Sequence, residues 1–199
     1  MPSQTQPLPL SIESRDINFM VPLLRERVEQ LTERCKSRGI VLGIGTTIRG
    51  PDIQARLWCR SRTPEDVKRR RDFISKSAPR IAALLKPEYA GLGPQMTSHP
   101  PMSSWHQVGE AVDVYVNVGG KAIWDGSTAL VIAGICKETG LPHSYNEKTW
   151  EVKSRHWHVQ LRRAETPFMV RGLFDSWADA ERAMLEKFDL TSASAALAP

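Results

Sequence analysis

The sequence predicts an α+β fold, a small antiparallel sheet flanked by helices, and three observations carry this. Leu24, Val28, Leu31 and Cys35 recur at spacings of four, three and four, one face of a helix. The stretch "AVDVYVNV", residues 111–118, alternates as a half-buried strand does. Helical and strand-like patterns then follow one another without the regular alternation of a parallel α/β sheet. Hydrophobic residues make up 41% of the 199-residue chain, enough to build a core and too many for disorder.

Taken in order, residues 1–15 are rich in Pro, Gln and Ser and read as a flexible lead. The helical pattern starts at Asp16, and Gly39 follows it as a C-cap. "IVLGIGTTI" is apolar and β-branched, a strand from Ile40 to Ile48 with glycine interruptions. Thr63 then caps a second helix: Pro64 suits its first position, and Glu65 and Asp66 suit its positive end. Pro79 either ends this helix or opens a short one through "RIAALLK".

After the strand 111–118, "GGKAIW" supplies a turn. Ser127–Thr139 reads as a helix with Leu130, Val131, Gly134 and Ile135 inward and Gly140 as its stop. "HWHVQLRR" is a further strand. Asp175–Phe188 is an amphipathic helix with Trp177, Met184 and Phe188 on one side. Residues 191–199 read as a frayed tail, which leaves 16–190 as a single domain.

Net charge is +5 and the isoelectric point about 9.3, which favours anionic partners. The basic run Lys68–Arg71 lies on a helix, where such a run is ordinarily a solvated face, and no recognisable nucleic-acid module accompanies it. No nucleic-acid partner is therefore expected. Cys35, Cys59 and Cys136 are odd in number and lack CxxC spacing, so they make neither a disulfide framework nor a cysteine metal site. Cys35 and Cys136 fall in apolar patterns and read as buried thiols, in keeping with folding in a reducing cytoplasm. The N-terminus has no basic region before an apolar run, so no signal peptide is expected. No stretch approaches the roughly 20 apolar residues of a membrane span, so no membrane insertion is expected either. The chain is expected to be a monomer.

The chemistry concentrates in "SSWHQVGEAVD", residues 103–113. His106 and Asp113 offer a nitrogen and an oxygen ligand. Gly109 allows a sharp turn between them, and Ala111 keeps the intervening space small. A third ligand must come from elsewhere, and "RHWHVQ" offers His156 and His158, which share one face of a regular strand. Two such histidines are more often structural, but the chain has only five histidines and three of them fall in these two segments.

These residues resemble a known family. "SWHQVGEAVD" matches Ser-x-His-x-x-Gly-x-Ala-x-Asp through Ser104, His106, Gly109, Ala111 and Asp113. This resembles the zinc peptidoglycan peptidases, which include D-Ala-D-Ala carboxypeptidases and the L-alanyl-D-glutamate endopeptidases of phage endolysins. Upstream, Arg49, Gln54, Leu57 and Trp58 match that family's Arg-x-x-x-x-Gln-x-x-Leu-(Tyr/Trp) segment. Downstream, His158 and Gln160 match its closing His-(Phe/Val)-(Glu/Gln) strand. The likeness spans about residues 39–161. It implies a Zn2+ site held by His106, Asp113 and His158. It also implies that Arg49, Gln54 and Ser104 contact substrate and that Arg49 stabilises the charge developing on a carbonyl oxygen. The implied substrate is the bacterial peptidoglycan stem peptide.

One position departs from the family. An acid usually stands three residues before the last histidine ligand and serves as general base. Here that position is Arg155, which has no basic lone pair at neutral pH. Glu151 is the nearest carboxylate in sequence and the expected substitute, with His156 as a second proton carrier. The resemblance implies an L-alanyl-D-glutamate endopeptidase, an endolysin or a cell-wall-lysing effector, reaching the wall by holin-type release or by a secretion machine. The alternatives are a D-Ala-D-Ala carboxypeptidase and a zinc-containing wall-binding module without catalysis.

Overall fold

The computed structural model describes residues 7–123, 132–136, 138, 145–146, 151–152, 157–160 and 173–189. It is a mixture of helices and small, mainly antiparallel sheets, an α+β architecture. The chain divides into two compact units, one of residues 1–13, 49–107 and 165–199, the other of residues 14–48 and 108–164.

The second unit holds the larger sheet. Its central strand β5 (Ala111–Val118) has the bounds that alternation predicts. A strand at Leu42–Ile44 pairs along one edge, and strands at Lys121–Ile123 and Trp157–Gln160 pair along the other, all antiparallel. The remaining strands are, in chain order, β1 Leu8–Pro9, β2 Glu13–Ser14, β3 Leu42–Ile44, β4 Ile48–Arg49, β6 Lys121–Ile123, β7 Tyr145–Asn146, β8 Glu151–Val152, β9 Trp157–Gln160 and β10 Phe188–Asp189. Val112, Val114 and Val159 are fully buried on one face. They pack in one cluster with Leu24, Val28, Leu31 and Cys35 of helix α1 (Pro22–Lys36). Each such side chain contributes about 1.5–3 kcal/mol on burial. Helix α1 ends as expected: Gly39 has φ +74°, its N–H donates to the Lys36 carbonyl, and the Ile40 N–H donates to that of Cys35.

The strand expected from Ile40 to Ile48 is broken. β3 stops at Ile44 and β4 resumes at Ile48. The Gly45 N–H donates to the Asp113 carbonyl, whereas the Asp113 N–H donates to that of Thr46. Two residues thus oppose one, a bulge that interrupts regular pairing. A Cβ on Gly45 would lie 2.8 Å from the Asp113 carbonyl oxygen, so the approach requires glycine.

The helical stretch at 132–136 buries Ile132, Ala133, Ile135 and Cys136. Gly134, expected to face inward, is exposed, because residues 132, 133, 135 and 136 share one helical face and Gly134 lies on the opposite one. Leu130, Val131 and Gly140 lie outside the described residues.

The first unit has its own core, built around Trp58, Cys59, Ile74, Ile81, Leu85 and Met184. Helix α2 (Pro51–Cys59) supplies Ala55, Trp58 and Cys59 to it. Helix α3 (Pro64–Ser75) starts at the expected cap, with the Thr63 hydroxyl accepting from the Asp66 N–H, and buries Val67 and Ile74. Lys68 and Arg69 are exposed, and Arg70 and Arg71 half-buried. Pro79 opens a separate short helix, α4 (Pro79–Ala83). Glu181 of helix α5 (Trp177–Lys187) accepts from the N–H groups of Arg80 and Ile81 at its start. Ala180 and Met184 are buried, whereas Phe188 packs from β10 beyond the helix end.

Residues 8–14, expected to belong to a flexible lead, carry β1 and β2. β1 pairs in parallel with β10, and Leu10 is buried in the first core. Composition misses this because a two-residue strand takes its order from its partner. No helix among the described residues is long and apolar enough to cross a membrane.

All three cysteines are free and buried. Burial pushes the Cys35 and Cys59 thiols up to about 11 and that of Cys136 to about 12, from an ordinary value of 9.0. In the unfolded chain each loses its proton near pH 9. The folded state's advantage is therefore full below pH 9 and shrinks as pH rises through about 11–12. The urea midpoint is expected to fall between pH 8 and pH 10.5, and to fall less in Cys35→Ala and Cys136→Ala. Equal slopes in wild type and variants would show that these thiols contribute nothing to the pH dependence.

Candidate metal centre

Antiparallel pairing sets Asp113 of β5 directly opposite His158 of β9. Directly opposed residues project to the same face, so a carboxylate and an imidazole meet without any loop having to place them. The His158 Nδ1 lies 3.4 Å from the Asp113 Oδ1. That is long for an N–H···O bond. It matches the spacing of about 3.4 Å between two ligand atoms of a tetrahedral ion with bonds of about 2.0–2.1 Å. The His158 Nε2 lies 2.9 Å from the Gln160 Oε1. Both side chains are only slightly exposed, Asp113 at 15% and His158 at 26%.

His106 joins them. One ligand atom each from His106, Asp113 and His158 lies within 4.8 Å of the others. This group could hold a metal ion. His106 is buried in a short 3-10 turn, Trp105–Gln107. Gln107 supports that turn: it is fully buried, and its Oε1 accepts from the Ser104 N–H at 3.3 Å. Ser104 is itself buried.

Between the two motif ends, Gly109 adopts φ +77°, and its carbonyl accepts from the Val21 N–H at 2.9 Å. A Cβ there would stand 2.4 Å from the Phe19 carbonyl oxygen. Ala111 is fully buried on the same face of β5 as Asp113.

Arg49 and Gln54 are held to each other. The Arg49 Nε lies 3.3 Å from the Glu13 carboxylate, and its Nη1 donates to the Gln54 Oε1 at 3.4 Å. The guanidinium side chain is 13% exposed. Gln54 is fully buried, and its Nε2 donates to the Thr97 hydroxyl at 3.1 Å and to the His99 carbonyl at 2.7 Å. Its amide thus ties Arg49 to the 97–99 segment, a positioning arrangement rather than an exposed contact. Trp58 packs in the core with the Arg62 guanidinium 4.0 Å above its ring.

Glu151 is in β8, opposite Asn146 of β7. Arg155 and His156 lie outside the described residues. Sequence reading did not assign Gln107, the Gly45–Thr46 bulge or the contact of Gln160 with His158. Only the last left a signal: residues two apart on a strand share a face.

No protein-family model matches the chain, and no curated protein matches it.

Gly109→Ala combines a positive φ with a backbone clash, and is expected to cost about 1–3 kcal/mol. Chemical denaturation measures this; a loss below about 0.5 kcal/mol would mean that the turn relaxes freely.

Proposed function

We propose that the protein is a zinc-dependent peptidase that cuts peptidoglycan stem peptides, most closely an L-alanyl-D-glutamate endopeptidase. The observation that carries the proposal is the convergence of His106, Asp113 and His158, the three residues the sequence resemblance singles out as ligands. Two imidazoles and one carboxylate fit a catalytic zinc set, which keeps a position for water or substrate. When bound, zinc polarises a carbonyl oxygen and makes water acidic enough to act as a nucleophile near neutral pH.

The chain's own residues supply the rest. Arg49 is always charged, and its partners Glu13 and Gln54 hold it in place, so it meets negative charge on the scissile carbonyl oxygen with little reorganisation. Gln54 acts through Arg49, and Ser104 is assigned to substrate contact by the sequence resemblance. Glu151 takes the proton from the attacking water and returns it to the leaving amine, replacing the acid that Arg155 displaces. The net positive charge of +5 favours dwelling on an anionic wall. Arg155 supports a second reading, a zinc-containing wall-binding module without turnover.

Purified protein loaded with zinc should release new N-terminal D-glutamate from peptidoglycan, identified by mass spectrometry. Released D-alanine would indicate a carboxypeptidase. One bound zinc with no product would leave the wall-binding module. His106→Ala is expected to lose both zinc and activity, and full zinc stoichiometry in that variant would sink the ligand assignment. Glu151→Gln is expected to keep zinc and lose at least about 100-fold in turnover; unchanged turnover removes Glu151 as the base.

A further inference from the structure

We propose that Gln160 is a positioning residue that sets the tautomer of His158 and thereby makes Nδ1 its metal-binding atom. The proposal rests on reading His158 as a metal ligand. Neutral imidazole carries one proton, and the nitrogen without it supplies the lone pair. Whichever nitrogen holds the proton is thus excluded as a ligand.

The geometry decides between them. Nε2 is 2.9 Å from the Gln160 Oε1, an amide oxygen with no proton to give. That contact is a hydrogen bond only if Nε2 is the donor. Nδ1 is left with its lone pair, 3.4 Å from the Asp113 Oδ1. Two acceptor atoms at that separation repel unless a cation lies between them. Gln160 and His158 are two apart on β9 and so share a face, and the pairing of Ala111 with Gln160 and Asp113 with His158 fixes both against β5. A metal-binding histidine whose second nitrogen is anchored in this way keeps its ring orientation as well as its tautomer.

The competing arrangement makes its own distinct prediction. An amide turned end over end would present its NH2 to Nε2, move the ring proton to Nδ1, and form an Asp113–His158 hydrogen bond with no place for a metal.

The test uses metal-free, 15N-histidine-labelled full-length protein at a pH where His158 is neutral. Long-range proton–nitrogen correlation spectra should show the Nε2–H form in wild type. Gln160→Leu, which cannot accept, should shift His158 toward the Nδ1–H form and weaken zinc binding about 10–100-fold in a chelator competition. Gln160→Glu, which still accepts, should keep the wild-type tautomer and bind zinc within a few-fold of wild type. A well-dispersed amide spectrum for each variant establishes that it is folded. Nδ1–H in wild type, or a Gln160→Leu protein with unchanged tautomer and unchanged zinc affinity, would overturn the proposal. A wild-type protein that shows Gln160-dependent Nε2–H but binds no zinc would overturn the metal reading and uphold control of the tautomer by Gln160.

Discussion

The pairing register of β5 with β9 is the constraint on which the site depends. It places Asp113 against His158 and, one residue along, Val112 against Val159. The valines are fully buried, and the other two residues are partly open to solvent. A slip of one residue would exchange the faces, burying an imidazole among valines and exposing an apolar side chain. Desolvating a polar ring without a partner costs about 1–3 kcal/mol, and the lost apolar burial adds to that. The hydrophobic core of the second unit and the meeting of Asp113 with His158 are thus one event.

The other edge of β5 adds a second restraint at the same residue. The bulge at Gly45 and Thr46 engages both the carbonyl and the N–H of Asp113. The backbone that carries the carboxylate is therefore held on both sides, and the remaining freedom lies in a short side chain with two torsions. A carboxylate held in this way would lose little entropy on binding an ion. Gln160 extends the same logic to the imidazole.

A comparable economy operates in the first unit. Gln54 is buried, and both ends of its amide are engaged, so its orientation is settled before any ligand arrives. Arg49 takes its place from Gln54 and from Glu13, which comes from a segment that composition alone reads as a lead. A guanidinium at 13% exposure with partners on two sides is a fixed charge rather than a mobile surface one.

Local chemistry made much of this legible. The β5 bounds, the α1 face, the Thr63 cap, the Gly39 stop and the pair His106 and Asp113 follow from periodicity, side-chain donors and motif spacing, all properties of near neighbours in sequence; the family resemblance singles out His158 over His156. Other features depend on distant partners. β1 exists because β10 lies beside it. The strand after α1 breaks because two residues must oppose Asp113. Gly134 faces outward because Ile132 and Ile135 take the buried side. The sequence by itself determined which side chains offer donor atoms and where the chain can turn, since donor type and turn-forming glycine are encoded residue by residue. Only the tertiary structure decided which nitrogen of His158 faces Asp113, because that choice belongs to the register of two strands about 45 residues apart and to the amide beside them.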